Sequence, residues 1–172
     1  MKQFVGLEGA VYTLRRAFNA AMKDISQLDE TMTEMAVVTD LDIGDYWNQL
    51  PEHTERANDL GLAINDVYKA ETLYYQQGLK TNEVISMSTK TLEMARIAGL
   101  SAEDATNKMT AALRGFNMEL NETSTERVAD VYSELAAITA SDVKEISSAM
   151  TKTASIASSA GMEFETTAAF LS

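Results

Sequence analysis

The sequence predicts an all-α fold, with a long N-terminal heptad helix over residues 1–42 followed by a stack of short antiparallel helices over residues 43–172. Three observations predict it. Apolar residues recur at steps of three and four along most of the chain, the spacing of one helix face. An apolar turn residue ahead of a helix start returns at Leu79, Leu100, Leu120, Ala140 and Met162, separated by 21, 20, 20 and 22 residues. One proline, eight glycines and abundant Ala, Thr, Met and Leu favour helix, and no run of alternating β-branched or aromatic residues asks for a sheet.

The first element is a heptad seam. Phe4, Leu7, Val11, Leu14, Phe18, Ala21, Ile25, Leu28, Met32 and Met35 follow one another at alternating steps of three and four without a miss. That run would give a helix on the order of 50 Å long. Two readings fit it: one side of a helix packed inside its own bundle, or a surface through which copies of the chain associate. Flanking Ala10, Ala17, Met22, Ala36 and Val38 widen the stripe toward a multi-helix contact. The mixture of aromatic, β-branched and Met residues sets no oligomer number.

The acids and glycine of Asp40 to Asp45 interrupt the pattern and suit the first turn of a new helix. That helix is expected over 45–60, with a break or fresh start at Leu50-Pro51, because proline inside a helix costs about 3 kcal/mol. Leu60, Ala63, Val67, Ala70 and Tyr74 then mark the apolar face of a helix ending at Gly78. The repeats follow, roughly over 81–98, 102–116, 124–138 and 142–160, with a last helix begun near Phe164. The best-defined start is Gly99-Leu100-Ser101, where the Ser101 hydroxyl can cap the next turn and Asp104 can bond back. Helices this short are marginal alone, so neighbours must bury one another's faces. The last helix, ending Phe170-Leu171-Ser172, stops in mid-pattern and suggests a piece of a longer chain.

Little in the chain points to chemistry. A formal charge of −12 argues against direct nucleic-acid binding, which needs clustered cations. No cysteine is present for disulfides or thiolate metal sites. No apolar run approaches the ~20 residues needed to span a bilayer. The N-terminus lacks a signal peptide's unbroken apolar stretch. The one histidine, His53, sits in the acidic stretch Glu52-His53-Thr54-Glu55 and reads as a surface residue. No nucleophile motif accompanies it, and a di-iron bundle would need two E-x-x-H pairs. Ser141 to Lys144 has S-x-x-K spacing, but Ser141 stands where a helix N-cap belongs. Asn121-Glu122-Thr123 is a low-specificity sequon, and the methionines at 32, 35, 109 and 150 fall at core spacings. The expectation is a protein with no catalytic residue, cofactor or metal.

Residues 18–172 resemble the core region of phage tail tape measure proteins. The resemblance is carried by Leu60-Gly61, Tyr75-Gln76-Gln77-Gly78-Leu79, Ala98-Gly99-Leu100-Ser101-Ala102-Glu103-Asp104-Ala105 and Ala111-Ala112-Leu113-Arg114-Gly115-Phe116. Val128-Ala129-Asp130-Val131-Tyr132 and Ala160-Gly161-Met162-Glu163-Phe164-Glu165-Thr166-Thr167-Ala168 continue it in the family's order. Glu163 and Lys80 depart from it, standing where the repeat expects a Ser-type cap. The resemblance implies a helical protein of the virion tail, assembled in the host cytoplasm, that sets tail length and templates tube polymerisation. Its implied partners are other copies of itself and the tail tube and tail assembly proteins. The same periodicities fit a helical-bundle oligomerisation or interaction module of effector or signalling type with no phage role, and only the block order separates the two. A small all-α enzyme is opposed by the lack of a convergent titratable cluster.

Overall fold

The computed structural model describes the backbone of residues 2–39 and 42–172, and the side chains of residues 12, 15–39, 42 and 44–172. Eight helices and no strand occur among the described residues: α1 (Lys2–Val38), α2 (Ile43–Leu60), α3 (Ile64–Tyr75), α4 (Thr81–Ala98), α5 (Ala102–Gly115), α6 (Glu122–Ile138), α7 (Val143–Ser159) and α8 (Phe164–Leu171). From α4 onward the helices start at 81, 102, 122, 143 and 164, every 20 or 21 residues. The repeat read from the turns is thus a repeat of whole helices.

The turn grammar has a physical cause. Gly61, Gly99 and Gly161 adopt positive φ, and the amide of the apolar residue that follows reaches back to the preceding helix. Leu62 donates to the Ala57 carbonyl at 2.9 Å, Leu100 to Ala95 at 2.9 Å and Met162 to Ala157 at 3.0 Å. This is the Schellman closure, which satisfies late helix carbonyls while the apolar side chain folds back on the core. After α5 the left-handed position is taken by Asn117, and Met118 makes the equivalent bond to Leu113 at 2.8 Å. Met118, rather than Leu120, is therefore the counterpart of Leu100.

Helix starts differ from expectation in detail. Ser101 accepts from the Asp104 amide at 3.1 Å as expected. Asp104 does not bond back, because its carboxylate lies 3.0 Å from Lys108 Nζ one turn on. Asn121 of the sequon is the N-cap of α6, accepting from the Ser124 amide at 2.9 Å. The cap of α7 is Asp142 rather than Ser141: Asp142 and Glu145 form a reciprocal capping box, and Ser141 Oγ donates to the Ser172 carbonyl at 2.8 Å. Lys80 supplies no side-chain cap to α4, but the Glu83 carboxylate accepts from its amide at 2.9 Å, and Glu163 caps nothing.

Proline does not break α2, which runs unbroken from Ile43 to Leu60 with Pro51 inside it. Pro51 lies on the exposed side, while Tyr46, His53, Ala57 and Leu60 are buried one to two turns apart on the other. The ring and the carbonyl it leaves unpaired therefore face water, and burial keeps the helix continuous through the fault. Leu60, expected on the face of α3, instead closes α2, since Gly61 separates the two helices.

Helices two apart in sequence pack side by side. One row is α1 on α3, α3 on α5 and α5 on α7; the other is α2 on α4, α4 on α6 and α6 on α8, with consecutive helices bridging the rows. The main core joins Tyr74, Val84, Met94, Met109, Leu113, Tyr132, Ile146, Met150 and Phe164. A second group, Ala57, Leu60, Val67, Ala70, Leu92 and Ala102, fills the space at α2, and a third, Leu28, Met32, Met35, Tyr46 and Tyr68, seals α1. Met32, Met35, Met109 and Met150 are all buried. Within the first row α5 and α7 approach closely at Gly115, where a Cβ would stand 2.4 Å from Ala154 Cβ and 3.3 Å from the Ser155 nitrogen.

Candidate interaction surface

The seam of α1 divides at Leu28. Leu28, Met32 and Met35 are buried against α2 and α3, and Thr31 reinforces that contact by donating to Asn65 Oδ1 at 2.6 Å. Toward the N-terminus every described residue from 15 to 27 is exposed. Phe18 is 65% and Ile25 53% exposed on the seam, Ala21 is exposed between them, and Tyr12 (69%) and Met22 (51%) lie beside it. The side chains of Phe4, Leu7, Val11 and Leu14 lie outside the described residues. The helix thus anchors its second half in the bundle and leaves the described residues of its first half uncovered.

This free half, residues 12–27, is amphipathic and basic. Arg15, Arg16 and Lys23 stand against a single carboxylate, Asp24, in a chain whose overall charge is −12. At 3.6 residues per turn, Arg15 falls at the edge of the stripe formed by Phe18, Ala21, Met22 and Ile25, while Arg16 and Lys23 fall on the opposite side of the helix.

The outward face of α2 has the opposite character. Leu50, Pro51, Thr54, Glu55, Asn58 and Asp59 line a shallow groove of about 620 Å³, and Trp47 continues it toward the start of the helix, 39% exposed. Glu52, Glu55 and Asp59 lie together along one edge of this face and are exposed. Among the described residues none of the three is in an ion pair. The sequence reading missed this surface because it treated Pro51 as a boundary.

Beneath the same helix, His53 is not a surface residue but 3% exposed. Its Nδ1 donates to the Gln49 carbonyl at 2.9 Å, its Nε2 lies 2.9 Å from Glu71 Oε2, and its ring stacks on Tyr68 at a centroid distance of 4.4 Å. Arg56 Nη2 approaches the other Glu71 oxygen to 2.7 Å without the alignment of a hydrogen bond. The charged stretch around His53 read as solvated because its partner, Glu71, lies on another helix. Both imidazole nitrogens are engaged, Nδ1 within α2 and Nε2 in tying α2 to α3.

Ion pairs also cross the even row. Arg127 Nε lies 2.6 Å from Glu165 Oε1, and this hydrogen bond holds the Glu165 carboxyl below the usual carboxylate range. Lys90 Nζ lies 3.3 Å from Glu126 and 3.6 Å from Glu93, which raises its ammonium above the ordinary lysine value. These groups are largely exposed and stabilise the row only weakly. Among the described residues no helix is long and apolar enough to cross a membrane, and no group of three or more His, Asp or Glu converges as a metal site.

Comparison with known proteins places this architecture. The family described as phage-related minor tail protein matches residues 54–172, beginning later than the resemblance drawn from residue 18. The chain is similar to the tape measure protein of Pneumococcus phage Dp-1, 32% identical over 92 residues, which is 54% of this chain and 8% of that protein. It therefore spans a small part of the length of that relative. No solved structure matches it. With 54–172 matched, well over half of its length, the chain belongs to the phage-related minor tail protein family.

Proposed function

We propose that this chain is part of the core region of a tape measure protein: a structural segment without catalytic role that contributes to the length of a phage tail and to the scaffold on which tube subunits polymerise. The similarity to the Dp-1 tape measure protein carries the reading. The regular helical repeat supports it, since a ruler needs a length that scales with residue count. A helix supplies about 1.5 Å per residue when laid end to end, whereas a two-row stack adds only one helix diameter, about 10 Å, for every two helices. A ruler of this sequence is therefore several times longer opened out than stacked. The acidic body, in a tube that also passes DNA, would keep the protein from adhering to it.

Duplicating residues 81–101 within the full-length phage protein is expected to lengthen tails by about 30 Å, and deleting them to shorten tails by the same amount, if the helices lie end to end. Tails of unchanged length in both phages would reject the ruler reading.

The proposal extends to self-association through α1, because Phe18, Ala21 and Ile25 of the seam are exposed. Sedimentation of the whole chain and of one beginning at residue 28 tests this. Truncation at 28 keeps Leu28, Met32 and Met35, which the bundle needs. Equal monomeric mass in both would reject self-association.

A further inference from the structure

We propose that His53 is a pH-sensitive latch, which fastens α2 to α3 while each ring nitrogen carries a proton and frees the first half of α2 when one is lost. Such a device stands whether or not the chain serves as a ruler. Nδ1 lies 2.9 Å from the Gln49 carbonyl and Nε2 lies 2.9 Å from Glu71 Oε2. A carbonyl and a carboxylate only accept, so making both bonds takes two ring protons, and the ring is then an imidazolium. Setting the second proton on Glu71 instead would strand the Arg56 guanidinium, 2.7 Å from Oε1, without a counter-ion. The neutral ring fits in neither tautomer. One turns the Nε2 lone pair on the Glu71 carboxylate, and the other turns the Nδ1 lone pair on the Gln49 carbonyl.

Burial and the stacking on Tyr68 keep the ring from turning to water to relieve that conflict. Each helix packed on α2 brings a defined set of groups. From α3 come Glu71 and the phenol of Tyr68, which burial keeps neutral. From α4 comes Arg96, whose Nη1 donates to the Leu60 carbonyl at 2.9 Å, about two turns from His53. From α1 come Met32 and Met35 beside Tyr46 and Tyr68, and the Thr39 hydroxyl bonded to Tyr46. Arg56 stands on α2 itself. Two cations therefore share the one buried carboxylate of Glu71, and since a guanidinium keeps its protons, the surplus charge is shed from His53.

The latch also sits at the weak point of its helix. Pro51, two residues before His53, leaves α2 one backbone bond short, and of the described side chains of residues 44–50 only Tyr46 is buried. With His53 released, the stretch before Pro51 is held chiefly by Tyr46.

The chain has one histidine and one tryptophan, and both lie on α2. Labelling histidine with nitrogen-15 therefore gives one ring to follow by NMR, while Trp47 fluorescence follows the helix. The window is about pH 5 to 9, above the ordinary carboxylates and below the phenols. On its acid side both ring N–H protons are expected in slow exchange with water. As pH rises and the ring loses one, Trp47 emission should shift to the red in the same step. The amides of residues 44–50 should then exchange at least about tenfold faster relative to those of α5 and α7 in the same sample. In a Glu71→Gln chain the side-chain amide can donate to a neutral ring as well as accept from it, so the Trp47 step should disappear.

An Nε2 proton exchanging as fast as that of free histidine would overturn the latch. A ring that loses its proton with no change at Trp47 and residues 44–50 would do the same. A Trp47 step that survives in Glu71→Gln would assign the response to another group and overturn it as well. If that variant does not fold, the titration of the parent chain decides by itself.

Discussion

Gly115 is the glycine on which the packing of α5 against α7 presses. A methyl group there would meet Ala154 Cβ at 2.4 Å and the backbone of Ser155 at 3.3 Å, and a backbone cannot swing aside. Gly115→Ala is therefore expected to destabilise the fold by about 1–3 kcal/mol through overpacking, even though alanine is the better helix former by about 1 kcal/mol. Urea unfolding measures it, and adding Ala154→Gly should recover part of the loss. Glu71 is the second sensitive point, since it serves both His53 and Arg56 from a position 1% exposed. Glu71→Ala should cost about 3 kcal/mol or more by stranding Arg56, and Glu71→Gln less, because the amide keeps one hydrogen bond to His53. Equal stability of the two variants in thermal unfolding would show that the cluster contributes by packing alone. Neither site was legible in the sequence: Gly115 stood inside a recognised block without a reason, and His53 pointed to water because nothing near it in the chain revealed Glu71.

Among the elements, α2 and α1 show how far local pattern reaches. The boundaries of the repeat helices were readable because caps and Schellman turns are made by residues within one turn of each other, as at Ser101 and Gly99-Leu100. The continuity of α2 through Pro51 was not readable, because it depends on Tyr46, His53 and Ala57 being buried on the opposite face by α1, α3 and α4. Pro51→Ala restores the missing backbone donor on an exposed face. It should stabilise the protein by about 2 kcal/mol, the ~3 kcal/mol penalty of a helical proline less the unfolded-state entropy regained. A rise in urea midpoint without a change in slope checks this, and a fall would mean that the bend at Pro51 is part of the packing. In α1 the heptad run is continuous in the sequence, yet the structure uses Leu28, Met32 and Met35 inside and leaves Phe18, Ala21 and Ile25 outside. A periodicity identifies a face and is silent about what covers it.

Five of the six tyrosines, all but the exposed Tyr12, are buried or half-buried, and this sets the behaviour of the molecule in alkali. Burial pushes the phenols of Tyr46, Tyr68, Tyr74, Tyr75 and Tyr132 above their ordinary value of 10.0. Folded tyrosines thus stay neutral where unfolded ones ionise. The stability they contribute is intact below pH 10 and is lost as pH rises through 10 toward the folded values, at about 1.4 kcal/mol per pH unit for each group. In a Tyr12→Phe chain, which removes the exposed phenol, tyrosinate absorbance and loss of helical circular dichroism are expected to rise together above about pH 10.5 in one cooperative step. Phenols titrating while the helices persist would show that they are reached by solvent in the native state.

At this scale the division between sequence and structure is physical. Helix content, the repeat near 21 residues, the turn positions and the acidic character were all determined by the sequence, because each arises from neighbours within a turn or from composition. The tertiary structure alone decided which faces meet: the pairing of helices two apart, the contact at Gly115, the burial of His53, and the split of the seam into an anchor and a free arm. Those depend on residues tens of positions apart, and a pattern of apolar spacing holds no information about which distant face will remove it from water.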